Sequence, residues 1–67
     1  MTSLSRRELD VVRLIAAAKS NRQIAKDLDL AEGTIKAYLD RIFKKTGQAN
    51  RTALAVWWER GQMEASQ

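Results

Sequence analysis

The complete absence of proline, cysteine and histidine from 67 residues limits what this chain can fold into. Without disulfides, and without the thiolate or imidazole ligands of zinc sites, the chain must fold on an apolar core of its own. A core of this size supplies only a few kcal/mol of net stability and leaves little room for a catalytic cavity. Because the commonest general base is missing and no convergent carboxylates are evident, we expect no enzyme, no metal site and no cofactor.

Strong helix formers dominate the sequence, and its apolar residues recur with helical spacing. We predict an all-α four-helix bundle in a single domain over residues 1–67, with an ordered core at about 4–61 and a frayed tail at 62–67. No apolar run approaches the ~20 residues that span a bilayer, and no signal peptide is evident. These features predict a cytoplasmic protein that has no membrane partner.

Capping residues mark the expected helix ends. Ser5 or Ser3 is placed to cap the first helix, and Ser5 and Glu8 have the spacing of a capping box. Ser20 and Asn21 are the capping pair of the second helix, and Asn50 caps the fourth, which we expect to end near Gly61. The apolar positions predicted to face the core are Val11, Val12, Leu14, Ile15, Ile24, Ala25, Leu28, Ile35, Leu39, Ile42, Phe43, Leu54 and Ala55.

Residues 23–42 follow the pattern of a helix-turn-helix unit. Ala25 supplies the small residue where two helices must cross closely, and Asp29 supplies a turn residue that tolerates the left-handed region. The flanking apolar positions hold Ile24, Leu28, Leu30 and Ile35. We therefore predict a central helix-turn-helix made of helices 2 and 3, followed by a C-terminal fourth helix. An ordinary helical hairpin is the alternative.

Positive charge is concentrated around the third helix. The net charge is +4, and residues 33–51 hold five basic residues against one acid, whereas the preceding part is nearly balanced. Opposite the predicted core stripe, the outer face begins with small residues and ends with basic ones. Such a helix fits the DNA major groove, so we expect Lys36 to donate to guanine and Ala37 to touch a thymine methyl. Asp40 could accept a hydrogen bond from cytosine.

Asp40 also has a second interpretation, which we favour: an ion pair with Lys36 or Lys44, one helical turn away. Phosphate contacts are expected from residues at helix N-termini and from basic residues along the far end of the third helix. These residues are Ser20, Asn21, Arg22, Thr34, Arg41, Lys44, Lys45 and Arg51.

Four motifs together resemble the LuxR/GerE-type DNA-binding domain of bacterial transcription regulators. They are Leu4-Ser5-x-Arg7-Glu8-x-x-Val11-Val12-x-Leu14-x-Ala16, Ser20-Asn21-x-x-Ile24-Ala25, Thr34-Ile35-Lys36 and Lys45-x-Gly47-x-x-Asn50-Arg51-Thr52, with ungapped spacing from Leu4 to about Trp58. The resemblance implies a response-regulator output domain that dimerises through the fourth helix. It also implies base contacts from Lys36, Ala37 and Asp40, and phosphate contacts near Ser20, Thr34, Tyr38, Lys45 and Arg51.

The chain departs from the family pattern at four places. Ala18 replaces a glycine after the first helix, and Ala31 replaces the serine that caps the recognition helix. Tyr38 stands where histidine is common, and its hydroxyl can still reach a phosphate. Thr46 and Gln48 replace apolar residues, which predicts a less firmly docked loop before the fourth helix.

Two adjacent tryptophans mark the fourth helix. The side chains of Trp57 and Trp58 diverge by ~100°, so we expect one to fill the core and the other to be at least half exposed at an interface. The alternative is that both lie along a groove edge. Together with Ala53 they form the predicted dimer interface.

The sequence thus predicts a double-stranded-DNA-binding domain of a bacterial transcription regulator, acting in the nucleoid as a homodimer on paired half-sites. RNA polymerase is a further candidate partner. The alternatives are a sigma-factor-like promoter-reading domain, which would not dimerise on DNA, and a small helical protein–protein adaptor. Salt-dependent duplex binding would separate both DNA-binding interpretations from the adaptor.

Overall fold

A computed structural model describes residues 4–65, with side chains through residue 61. The helices are α1 (Arg6–Ala16), α2 (Asn21–Leu28), α3 (Glu32–Thr46) and α4 (Arg51–Ala65). They confirm the all-α prediction, and the part of the chain that the structure describes contains no strand. None of these helices combines the length and the apolar composition needed to cross a bilayer.

The apolar core lies where the four helices meet. The most extensive packing is between α1 and α4 and between α2 and α3, while α1 also contacts α3. Most predicted core positions are confirmed, with Leu14, Leu28, Phe43 and Ala55 half-buried at the edge. The buried apolar residues are Val11, Val12, Ile15, Ile24, Ala25, Ile35, Leu39, Ile42 and Leu54.

The predicted caps begin three of the helices. Glu8 N–H donates to Ser5 Oγ at 3.2 Å, and Ser5 N–H donates back to Glu8 Oε1 at 2.7 Å, which completes a capping box. Ser20 and Gln23 form the same arrangement at the start of α2. Asn50 Oδ1 accepts a backbone N–H of the first turn of α4 at 2.8 Å. Local hydrogen bonds therefore set these helix starts.

The turn between α2 and α3 has the expected geometry. Asp29 adopts a left-handed conformation with φ 57° and ψ 47°. The Leu30 N–H donates to the Ala25 carbonyl at 2.8 Å, and the Leu30 side chain packs against the core. This turn directs α3 across α2 and leaves one long face of α3 on the surface.

The fourth helix is longer than the sequence predicted. The expected end near Gly61 is wrong, because α4 continues through Ala65; residues 66 and 67 of the predicted frayed tail lie outside the described residues. Glycine inside a helix costs only ~1 kcal/mol relative to alanine, and the next residues are good helix formers with no proline among them.

The expectation for the tryptophans is also corrected. Neither Trp57 nor Trp58 is fully buried and neither is strongly exposed; both are half-buried and pack against the core. Because α4 lies along α1, two side chains that diverge by ~100° can both cover its flank. The structure therefore agrees with the alternative, in which both rings lie along an edge.

The turn after α1 holds a strained alanine. Ala18 has φ 65°, in the left-handed region that disfavours any residue with a Cβ atom. We expect Ala18→Gly to stabilise the domain by about 1 kcal/mol, as measured by urea denaturation. The neighbouring Ala17 has φ −81°, so Ala17→Gly is a matched control that should not stabilise. Equal effects of the two substitutions would contradict this explanation.

Candidate nucleic-acid interface

The outer face of α3 is exposed on the surface of the helix-turn-helix. Ile35, Leu39 and Ile42 point into the core, whereas most of the residues between them are exposed and Tyr38 is half-buried. No atom outside its immediate neighbourhood lies within 4 Å of the position that a Cβ on Gly33 would take. The exposed side of this helix holds Ala37, Asp40, Arg41 and Lys44, as the sequence predicted, with Lys36 exposed beside them.

Most charged groups on this face have no protein partner. Within the described residues, Lys36, Lys44 and Asp40 make no hydrogen bond or ion pair, and the same holds for Arg22 at the start of α2. The favoured interpretation of Asp40, an intrahelical ion pair, is therefore wrong. Exposed pairs of this kind are worth only ~0.3–0.5 kcal/mol, too little to fix the side chains. These groups remain available to an external ligand.

One pair on α3 is organised by an aromatic ring. The guanidinium carbon of Arg41 lies 5.8 Å from the centre of the Tyr38 ring, which is a cation–π distance. Tyr38 is half-buried and packs against the core, so its position is fixed. Its ring therefore holds the Arg41 guanidinium beside the outer face.

The N-terminus of α3 has no side-chain cap. Ala31 occupies the N-cap position with an extended backbone, and neither Asp29 nor Glu32 substitutes for the missing serine. The Thr34 and Ile35 amides bond to the Ala31 carbonyl, as in any helix start. Thr34 itself is exposed in the first turn, so its hydroxyl and the helix end are open to an acceptor such as a phosphate.

The N-terminus of α2 borders an open depression that also contacts Arg51. Ser20 Oγ already accepts the Gln23 N–H at 3.2 Å, whereas Arg22 is exposed. Asn21 Oδ1 and the Lys19 carbonyl both accept hydrogen bonds from the Arg51 guanidinium. Arg51 and Asn21 were both expected to contact phosphate, and in the structure they contact each other.

Lys45 is joined to a buried acid. Its Nζ lies 2.8 Å from Glu8 Oε1, and the Glu8 side chain is only 3% exposed against 43% for Lys45. The Lys45 hydrogen bond, followed by the one from the Ser5 backbone N–H, lowers the pKa of the Glu8 carboxyl below its ordinary value. This ion pair ties the start of α1 to the end of α3.

The outward side of α1 and α4 carries two exposed apolar residues. Val56 is 42% exposed and Leu9 is 38% exposed, whereas Ala53, Trp57 and Trp58 of the predicted dimer interface are half-buried.

Sequence reasoning missed three features of these surfaces. It did not predict the Glu8–Lys45 ion pair, the Arg51 contacts or the exposure of Val56. Glu8 carried a partial signal, since an acid in a capping box next to an apolar run is well placed for burial. The other two features depend on which helices become neighbours.

The chain matches the family model of bacterial regulatory proteins of the luxR family over residues 2–58. It is 37% identical over 57 residues to the nitrate/nitrite response regulator protein NarL of Escherichia coli K12, which covers 85% of this chain and 26% of NarL. It is 34% identical over 61 residues to the transcriptional regulatory protein LiaR of Bacillus subtilis 168, covering 91% of this chain and 29% of LiaR.

A third relative, the uncharacterised transcriptional regulatory protein YhcZ of Bacillus subtilis 168, is 41% identical over 54 residues, covering 81% of this chain and 25% of YhcZ. The chain thus spans about a quarter of the length of the curated relatives that it matches. The family consists of DNA-binding transcription regulators and not of enzymes, which agrees with the helix-turn-helix and with the exposed basic face of α3. The chain belongs to the luxR family of bacterial regulatory proteins.

Proposed function

We propose that this domain binds specific double-stranded DNA sites by inserting α3 into the major groove. The observation that carries the proposal is the outer face of α3, which is small at its N-terminal half and unpaired and basic beyond it. Small side chains let a helix approach base edges closely, and unpaired cations are available to phosphates. Lys36, Ala37 and Asp40 are the base-contacting residues in this proposal.

Phosphate contacts are assigned to the exposed groups around that face and to the half-buried Tyr38. They come from both helix N-termini of the helix-turn-helix and from the basic end of α3. The set comprises Ser20, Arg22, Thr34, Tyr38, Arg41 and Lys44. Lys45, Asn21 and Arg51 are left out of this set because their side chains already bind partners on other helices or loops. Ser20 stays in the set because its hydroxyl only accepts a hydrogen bond and can still donate one to a phosphate.

We further propose that two copies bind paired half-sites through α4. Once α3 faces DNA, α4 remains on the outside, and its exposed Val56 next to half-buried Ala53 and Trp57 gives an apolar contact surface. A single-helix contact buries less than the ~1,200 Å² of a stable interface, so the free domain should be mostly monomeric. Dimers would form on DNA in the bacterial nucleoid. RNA polymerase is a candidate partner of the DNA-bound dimer.

Base reading and phosphate binding can be separated with two lysines of α3. Lys36→Ala should relax base preference at one position and cost roughly 1–3 kcal/mol on the preferred site. Lys44→Ala, the matched control on the same face, should weaken all duplexes about equally. The measurement is selection of bound duplexes from a random pool, followed by titration of the selected and scrambled sites.

Two outcomes would contradict these proposals. If both variants lose affinity in the same sequence-independent way, Lys36 contacts phosphate and not bases. If the selected site lacks two-fold symmetry, the homodimer on paired half-sites is wrong.

A further inference from the structure

A single side chain joins the N-terminus of α2 to the start of α4. Arg51 Nη1 donates to Asn21 Oδ1, and Arg51 Nη2 donates to the Lys19 carbonyl. The two acceptors lie 30 and 32 residues before Arg51 in the chain. The main packing of α4 is against α1, and that of α2 is against α3, so these two helices are otherwise weakly connected.

Apart from the local capping box of Ser20 and Gln23, the segment that Arg51 binds has few contacts with the rest of the domain. It follows the strained Ala18 turn, and α1 and α2 pack only sparsely against each other. Lys19 is otherwise held by an exposed ion pair to Asp27 at 2.9 Å and by a backbone hydrogen bond to Leu14. The Ser20–Gln23 capping box is local to α2 and exposed ion pairs contribute little, so the Arg51 contacts are the side-chain hydrogen bonds that join this segment to α4.

Resting on the proposed DNA binding, we propose that Arg51 is a positioning residue for the phosphate contacts of α2. By binding Asn21 and the Lys19 carbonyl, it holds Ser20 and Arg22 at a fixed place relative to α4 instead of acting as an independent phosphate contact. The α4 surface and the DNA-facing end of α2 are thereby connected through one guanidinium.

The chemistry of arginine explains why this residue type is needed. A planar guanidinium presents several N–H donors in a rigid fork and can bind two acceptors at once, whereas a lysine ammonium is a compact point charge on a flexible stem. Without the two hydrogen bonds of the guanidinium, the start of α2 can move. The apparent affinity for DNA is then the intrinsic affinity multiplied by the fraction of time that α2 spends in the binding-competent position.

The experiment compares Arg51→Lys with Lys44→Gln and Asn21→Ala in duplex titrations at several salt concentrations. Arg51→Lys keeps the charge and loses the fork, whereas Lys44→Gln loses an unpaired charge of α3. We expect Arg51→Lys to weaken binding about tenfold, the effect of one charged hydrogen bond, with an unchanged salt slope. Lys44→Gln should lower the magnitude of the slope by about 0.9 for each bound copy.

Two further measurements test whether Arg51 affects DNA binding by positioning α2. The Asn21→Ala/Arg51→Lys double variant should bind no more weakly than the weaker single variant, because both substitutions break the same contact. Hydrogen exchange at the Gln23 amide, which Ser20 caps, should be faster in Arg51→Lys and unchanged in Lys44→Gln. Thermal unfolding of each variant serves as the control that it is folded at the titration temperature.

Independent phosphate binding by Arg51 gives the opposite results. Arg51→Lys would then bind within about twofold of the wild type, since lysine also binds phosphate, and its losses would add to those of Asn21→Ala. Either result overturns the positioning role. A wild-type domain whose duplex binding does not depend on salt would overturn the proposed function itself, which is a separate outcome.

Discussion

Binding to a preferred paired site is expected to weaken about 2,000-fold when monovalent salt rises from roughly 50 to 200 mM. Three exposed cations per copy, Arg22, Arg41 and Lys44, are assigned to phosphates, and none of them forms an ion pair in the described structure. Each neutralised phosphate contributes a slope of about −0.9 in log affinity against log salt. One copy therefore gives a slope of about −2.7, and two copies give twice that value.

The measurement is fluorescence anisotropy on a full site and on a site with one half scrambled. The half-site should lose only about 40-fold over the same salt range, because one copy releases half of the counterions. Affinity that stays flat with salt would contradict DNA binding through these cations. Equal slopes on full and half sites would contradict binding by two copies.

Lys45→Met is expected to destabilise the domain by about 2 kcal/mol at neutral pH. The substitution leaves the Glu8 carboxylate buried without the ammonium that lies 2.8 Å away. Breaking a fully buried ion pair costs ~3–5 kcal/mol. We expect a smaller value because Lys45 is 43% exposed and water screens the pair. Since a domain of this size has only a few kcal/mol of net stability, the loss should show clearly in urea denaturation.

Lys44→Met is the matched control for this prediction. Lys44 is adjacent, exposed and unpaired within the described residues, so its replacement should change stability by less than about 0.5 kcal/mol. The double variant Glu8→Gln/Lys45→Met should recover part of the lost stability, because it leaves no buried charge. Equal effects of the two single lysine substitutions would show that the ion pair does not stabilise the fold.

The same pair predicts how stability depends on pH. Because the folded-state pKa of Glu8 is lowered, its contribution is fully present above the carboxyl pKa of the unfolded chain, ~4.3, and is lost as pH falls through the folded value. In Lys45→Met the Lys45 hydrogen bond that lowers this pKa most is gone. The destabilisation by Lys45→Met should therefore shrink below about pH 4.

The sequence alone was sufficient for the features that depend on neighbouring residues. Helical spacing identified the core positions, and the side chains of Ser5, Ser20 and Asn50 identified three helix starts, because caps bind amides only a few residues away. Asp29 marked the left-handed turn because aspartate tolerates that backbone conformation. The exposed face of α3 also followed from spacing, since residues opposite a buried stripe must face outward.

Only the tertiary structure decided which polar residues of the candidate site are paired with distant residues and which are left exposed. Lys45, Asn21 and Arg51 have the residue types of phosphate contacts, yet helix packing brings Lys45 to Glu8 and Arg51 to Asn21. These partners are 30 to 37 residues apart, so no local pattern connects them. The positions of Trp57 and Trp58 were likewise set by how α4 lies on α1. Local hydrogen bonds and helical periodicity depend on short stretches of sequence, so they can be predicted from it. The partner of a long side chain depends instead on which helix lies beside it in the folded domain.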